Sequence, residues 1–250
     1  MIEEGFINGD SIIHRLDPRI KIILSSAFSI VVAVSDRFMA LIPAVILAFF
    51  FVLLAGLSLK KVCFRLLIVN GLILLLWLFL PFTFGSEQLF AIGPLNATRE
   101  GIIYSALITL KSNAIILALI ALIASMSIFT LGHAMRNLHV PSKLIHLFLF
   151  TFRYIHVIYL EYQRLMNALK IRGFNPGTNI HTYKTYAYLV GMLLVKSYDR
   201  AERVKSAMLC RGFSGRFYDL SEFSFRPRDW VIVVLLLLAT TCIGLLQWTN

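Results

Sequence analysis

Acidic side chains are scarce in this chain. Thirteen Asp and Glu stand against 24 Lys and Arg, a formal charge of +11. None of them falls in the long apolar runs, which excludes the paired intramembrane carboxylates that a membrane-embedded protease or lipid transferase needs. Cysteine is rarer still. Cys63, Cys210 and Cys242 are odd in number and lack metal-ligand spacing, so they read as packing thiols and not as a disulfide or a zinc site. No phosphate-binding Gly-Lys-Ser/Thr loop occurs, so no ATP is expected to bind this chain through a Walker-type motif. His14, His133, His139, His146, His156 and His181 form no HExxH pattern, and Pro141 separates the two that stand seven apart. No catalytic residue, cofactor or metal site is expected, and the chain reads as non-enzymatic. A cleavable signal peptide is not expected either. Residues 1–19 carry Glu3, Glu4, Asp10, Asp17, His14, Arg15 and Arg19, and the first apolar run begins too late.

What the chain has in quantity is apolar surface: 58% hydrophobic residues and a mean hydropathy of +0.79. With the basic charge, that indicates an integral membrane protein in a lipid bilayer with basic cytoplasmic loops, and no nucleic-acid partner. The fold class expected is all-α, a polytopic membrane protein. About five transmembrane helices would fall at Ile20–Val34, Phe38–Leu57, Leu66–Phe84, within Ile102–Leu131, and at Trp230–Trp248. Asp17-Pro18 fits a helix start with proline at its first position. Lys60, Lys61 and Arg65 read as a basic loop, and residues 85–101 as a poorly basic one broken by Gly93-Pro94. Lys111, near the start of the fourth span, can reach the interface or serve as an ion ligand. Residues 132–229 carry fifteen Lys or Arg against six Asp or Glu, a net +9. The expected organisation is therefore 1–131 (tail and four spans), 132–229 (a cytoplasmic segment with a pair of long amphipathic helices) and 230–250 (the last span). Its apolar stretches, His146–Leu160 and Tyr183–Val195, lie against the membrane or partly inside it. Charge places the N-terminus inside and the C-terminus outside.

Within 132–229 one pattern occurs twice, 39 residues apart. Arg164, Ala168, Arg172, Gly173 and Phe174 in the first copy match Arg203, Ala207, Arg211, Gly212 and Phe213 in the second. Tyr162, Leu165, Met166 and Leu169 share one helical face, with Glu161, Arg164, Asn167 and Lys170 off it. Ala201, Val204 and Met208 keep that face in the second copy. Gly173 and Gly212 sit where a left-handed glycine ends a helix. The arginines before them can complement the helix dipole, worth up to about 1 kcal/mol. Alternatively, they can dock carboxylates of a partner through bidentate guanidinium bonds. Two copies with one spacing favour docking, with Arg164, Ala168, Arg203 and Ala207 as support.

These features resemble the T component of energy-coupling factor transporters, the CbiQ/EcfT family, over nearly the whole chain. The opening Ser11-Ile12-Ile13-His14-Arg15-Leu16-Asp17-Pro18-Arg19-Ile20-Lys21 is similar to the family's. Pro141, Arg153, Glu161, Ala168 and Arg172-Gly173 look like its first coupling segment, and Ala207 and Arg211-Gly212 like its second. Ile171 and Cys210 depart from the family's Ala-Arg-Gly pattern but leave the arginines in place. The resemblance implies two cytoplasmic ABC ATPases that bind the ATP and magnesium and dock on Arg172 and Arg211. It also implies a membrane substrate-binding S component, and a bacterial or archaeal plasma membrane. The tail 211–229 looks closest to the cobalt and nickel branch. A vitamin importer, or a scaffold docking a partner without transport, is the alternative.

Overall fold

The structure is a computed structural model describing residues 11–83, 88–92, 95–214 and 227–246. Its architecture is helical, and it divides into two compact units, one formed by 2–139 with 223–250 and the other by Val140–Glu222. The division falls later than the charge boundary at Gly132, because helix α6 (Ile128–Asn137) packs on helix α2 (Pro18–Val34) of the first unit.

In the first unit, α1 (Ile12–Arg15) precedes α2, whose start is set as the sequence implies. Pro18 is at the first position, and the Asp17 carboxylate accepts from the Arg19 amide at 3.0 Å. Helices α3 (Phe38–Leu54) and α5 (Arg99–Leu122) form the closest-knit pair of the core. Ala40, Ala44 and Ala48 recur every fourth residue on α3, and Ala114, Ala118 and Ala121 lie on α5; all six are fully buried. Side chains this small let two backbones approach, which is how helices gain packing energy where lipid removes the hydrophobic drive. Phe28 of α2 fills the remaining space edge-on to Phe51, with ring centroids 5.9 Å apart.

Helix α4 (Leu59–Thr83) starts earlier than expected. Lys60, Lys61 and Arg65, read from sequence as a loop, form its first turns. Lysine and arginine are good helix formers, so hydropathy marks where a helix meets lipid and not where it begins. The break is instead at Gly56, with φ +63°. Facing reciprocal amide bonds, 3.1 Å each, join Asn70 of α4 to Asn113 of α5. The Trp77 indole donates to Thr109 at 2.9 Å. The poorly basic loop, whose expected break at Gly93-Pro94 lies outside the described residues, contains an antiparallel strand pair, β1 (Gln88–Ile92) with β2 (Leu95–Thr98). Sequence reading missed it because each strand is short and lacks sustained alternation. Lys111 lies in the middle of α5 and reaches the turn between α2 and α3. Its ammonium donates to Asp36 at 2.7 Å and to the carbonyl of Ala33 at 3.0 Å.

By length and composition, α4, α5 and α7 (Ser142–Ile171) can each cross a bilayer, while α3 and the stretch Leu236–Leu245 of α9 (Pro227–Leu246) are shorter apolar helices. Only 11% of the apolar window of α4 is buried, so its apolar side chains face outward. In the second unit α7 and α8 (Ile180–Cys210) are joined by a loop beginning at Arg172. Trp248 lies outside the described residues.

Candidate functional site

The second unit positions the doubled motif. Helix α7 runs 30 residues and α8 runs 31, and both end in the same way. On α7, Gly173 has φ +82°, its amide donates to the carbonyl of Lys170 at 3.0 Å, and the Phe174 amide donates to Leu169 at 3.1 Å. On α8, Gly212 has φ +78°, its amide donates to Leu209 at 3.0 Å, and the Phe213 amide donates to Met208 at 3.1 Å. These are two Schellman closures with matching partners. A Cβ built on either glycine meets nothing within 4 Å, so the left-handed backbone alone selects glycine.

The closures leave the arginines outside. Arg164, Ala168 and Arg172 follow one another every fourth residue along α7 and all are exposed, and Arg203, Ala207 and Arg211 repeat this on α8. A methyl between two guanidinium groups keeps the surface low, so that a partner's carboxylates can approach both. Arg164 touches Glu161 at 3.5 Å. Among the described residues no carboxylate lies within ion-pair distance of Arg172, Arg203 or Arg211. Ile171, 88% exposed, adds an apolar contact beside Arg172.

The apolar face holds on α7 and in part on α8. Tyr162, Leu165, Met166 and Leu169 are half-buried, as are Val204 and Met208, while Ala201 is open. Glu161 is the correction to the expected polar face. Its side chain is only 13% exposed and hydrogen-bonds the Lys196 ammonium of α8, with Arg200 at 3.8 Å. It lies in the polar half of α7, past the apolar stretch. The Lys196 hydrogen bond, then the charges of Lys196, Arg164 and Arg200, hold its carboxyl below the usual range, against the opposing effect of desolvation. Sequence reading placed Glu161 off the packed face because the signal is a partner 35 residues away, invisible to helical periodicity.

On one side of Glu161 the helices are tied. Phe174 packs edge-on to Tyr186, with centroids 5.7 Å apart, and the Gly177 amide donates to Thr182 at 3.2 Å. On the other side they part around a groove of about 490 Å³, walled by Tyr154, Ile158, Ala201, Val204 and Phe213 among others. Arg172 thus lies near the early turns of α8, whereas Arg211 ends it. The 25 residues from Tyr186 to Arg211 rise about 37 Å, so the two arginine ends are far apart.

The family model described as "CbiQ: Cobalt transport protein" matches residues 9–219. The chain belongs to the CbiQ/EcfT family of energy-coupling factor T components. It is 30% identical over 250 residues to the energy-coupling factor transporter transmembrane protein EcfT of Streptococcus equi subsp. equi, covering 93% of this chain and 92% of that one. It is 27% identical over 263 residues to the EcfT protein of Lactococcus lactis subsp. cremoris, covering 100% and 98%. To that of Thermosediminibacter oceani it is 28% identical over 227 residues, covering 84% and 83%. CbiQ/EcfT membership makes the chain a membrane subunit of a transporter. Among the described residues of this family member, no three His, Cys, Asp or Glu gather as metal ligands.

Proposed function

We propose that the chain is the coupling subunit of an ATP-driven importer. Two cytoplasmic ATPases dock on the Arg172-Gly173 and Arg211-Gly212 ends, and a substrate-binding S component lies in the bilayer beside it. The observation that carries this reading is the pair of identically closed helix ends, each presenting an exposed Arg–Ala–Arg stripe and separated by about 37 Å of helix. One carboxylate pocket cannot hold both ends, so they fit two docking sites. ATP-driven approach of the two motors then pulls on both helices, and the movement reorients the S component. ATP hydrolysis belongs to the partners, and this chain supplies no catalytic group. Arg164, Ala168, Arg203 and Ala207 shape the docking faces.

The topology that goes with this reading has the N-terminus and 132–229 inside and the C-terminus outside, in a bacterial or archaeal plasma membrane. Cobalt or nickel is the proposed cargo, supported by the family description and by the tail 211–229. A vitamin is the competing cargo. A scaffold without transport is the competing role. Co-expression with the ATPase and S-component genes beside it tests both. A stable complex with ATP-dependent uptake of radioactive cobalt or nickel is expected. Uptake of a vitamin instead refutes the cargo, and a complex without uptake of anything refutes the coupling role.

A further inference from the structure

We propose that Glu161 is the ionic pivot of the α7–α8 pair, the point about which the C-terminal arm of α8 swings into the neighbouring groove when the subunit couples. This rests on the coupling reading above and assigns it a positioning residue that touches no partner. Glu161 gathers cations from both helices: Lys196 and Arg200 from α8 and Arg164 from its own. Its side chain is 13% exposed. A carboxylate held by several donors is a fixed point that tolerates rotation, because its four lone-pair sites can trade partners without losing charge compensation.

The surroundings of that point are unequal. Toward the loop, Phe174 on Tyr186 and Gly177 on Thr182 fasten α8 to the segment after α7. Away from it, the groove of about 490 Å³ separates the helices. The groove is open to its surroundings, and it leaves the room one arm needs to move. Phe213, next to the docking glycine Gly212, lines the groove, so a pull on Arg211 acts directly on its wall. The arms have comparable lengths. From Glu161 to Arg172 is eleven residues, about 16 Å, and from Lys196 to Arg211 is fifteen, about 22 Å. A fulcrum between two such arms passes a displacement at one docking end to the other.

The test uses the full complex and the chain alone. In the complex, Glu161→Gln should leave the ATPases bound but raise the ATP consumed per substrate imported roughly five- to tenfold. The charge exchange Glu161→Lys with Lys196→Glu should restore part of the ratio. Ala201→Phe, which fills the groove beside Arg200, should slow import. A Glu161→Gln complex that imports at the wild-type ratio overturns the pivot. In the chain alone, spin labels at Gln163→Cys and Ser206→Cys, with the three native cysteines replaced, read the arm directly. Glu161→Gln should broaden their distance distribution, and an unchanged distribution also overturns the pivot, whether or not import occurs. Failure of wild-type chain to bind any ATPase instead overturns the function proposed above.

Discussion

Lys111 in the middle of α5 is bound to Asp36 in the turn between α2 and α3, with Nζ 2.7 Å from the carboxylate and 3.0 Å from the Ala33 carbonyl. The ammonium therefore closes the C-terminal end of α2, where the helix has carbonyls without partners. Its side chain is 19% exposed, and that of Asp36 75%. Exposure of Asp36 makes the ion pair itself weak, and the carbonyl bond adds to it. Lys111→Met should lower stability by about 1.5–3 kcal/mol, the range for hydrogen bonds to a charged group. Asp36→Asn, which keeps an acceptor, should cost less. Thermal unfolding in detergent checks the order, and a Lys111→Met protein as stable as wild type removes the cap from the account.

Gly173 and Gly212 give a second prediction. Each holds a positive φ in open space, so alanine meets no clash and pays only for its backbone, about 1–2 kcal/mol. Gly173→Ala and Gly212→Ala should fray the last turns and speed amide exchange at 168–174 and 208–213. Asparagine, which tolerates this conformation, should do less harm. Equal protection in the alanine variants would mean that the closures are unimportant to the helix ends.

The Glu161 cluster should respond to acid. A carboxyl held below its ordinary range contributes stability that is present above that range, and loses it as pH falls through its own lowered value. Contact between α7 and α8 should therefore persist through mildly acidic buffer and weaken only below the normal carboxylate range. Glu161→Gln should show weaker contact with no such transition. Amide exchange in 158–164 and 193–200 as a function of pH reads this out, and loss of protection already near neutral pH would contradict it.

Much of this was legible in the sequence, for reasons particular residues make clear. Asp17-Pro18 announced α2 because cap chemistry is local. The repeat from Arg164 to Phe174 and Arg203 to Phe213 announced two matched helix ends because a Schellman closure needs glycine at one place. Contacts between distant segments were not legible. Asn70 with Asn113, Lys111 with Asp36 and Glu161 with Lys196 each join positions far apart in the chain, and no local period encodes such pairs. The Ala40, Ala44, Ala48 spacing is present in the sequence and suits close helix packing, but a reading by total hydropathy does not use it. Helix α7 is the mixed case. Its C-terminal half carries the charged motif, while the helix as a whole is long and apolar enough to cross a bilayer, so composition averaged over the segment concealed the division.

The central claim is that Arg172 and Arg211 hold the two ATPases, and the direct measurement is co-purification of those ATPases with arginine variants. If the guanidinium groups only complement helix dipoles, Arg→Ala costs up to about 1 kcal/mol locally and leaves assembly intact. If they dock carboxylates, each substitution strands a desolvated charge on the partner and weakens association by roughly 2–5 kcal/mol. Arg→Lys should recover only part, since an ammonium lacks the bidentate fork. The account predicts that Arg172→Ala and Arg211→Ala each insert normally, lose ATPase and import poorly. The double variant should be worse than either, and substitutions at Lys170 and Lys205 should do much less. Wild-type recovery of the ATPases and wild-type transport by both single variants would contradict it.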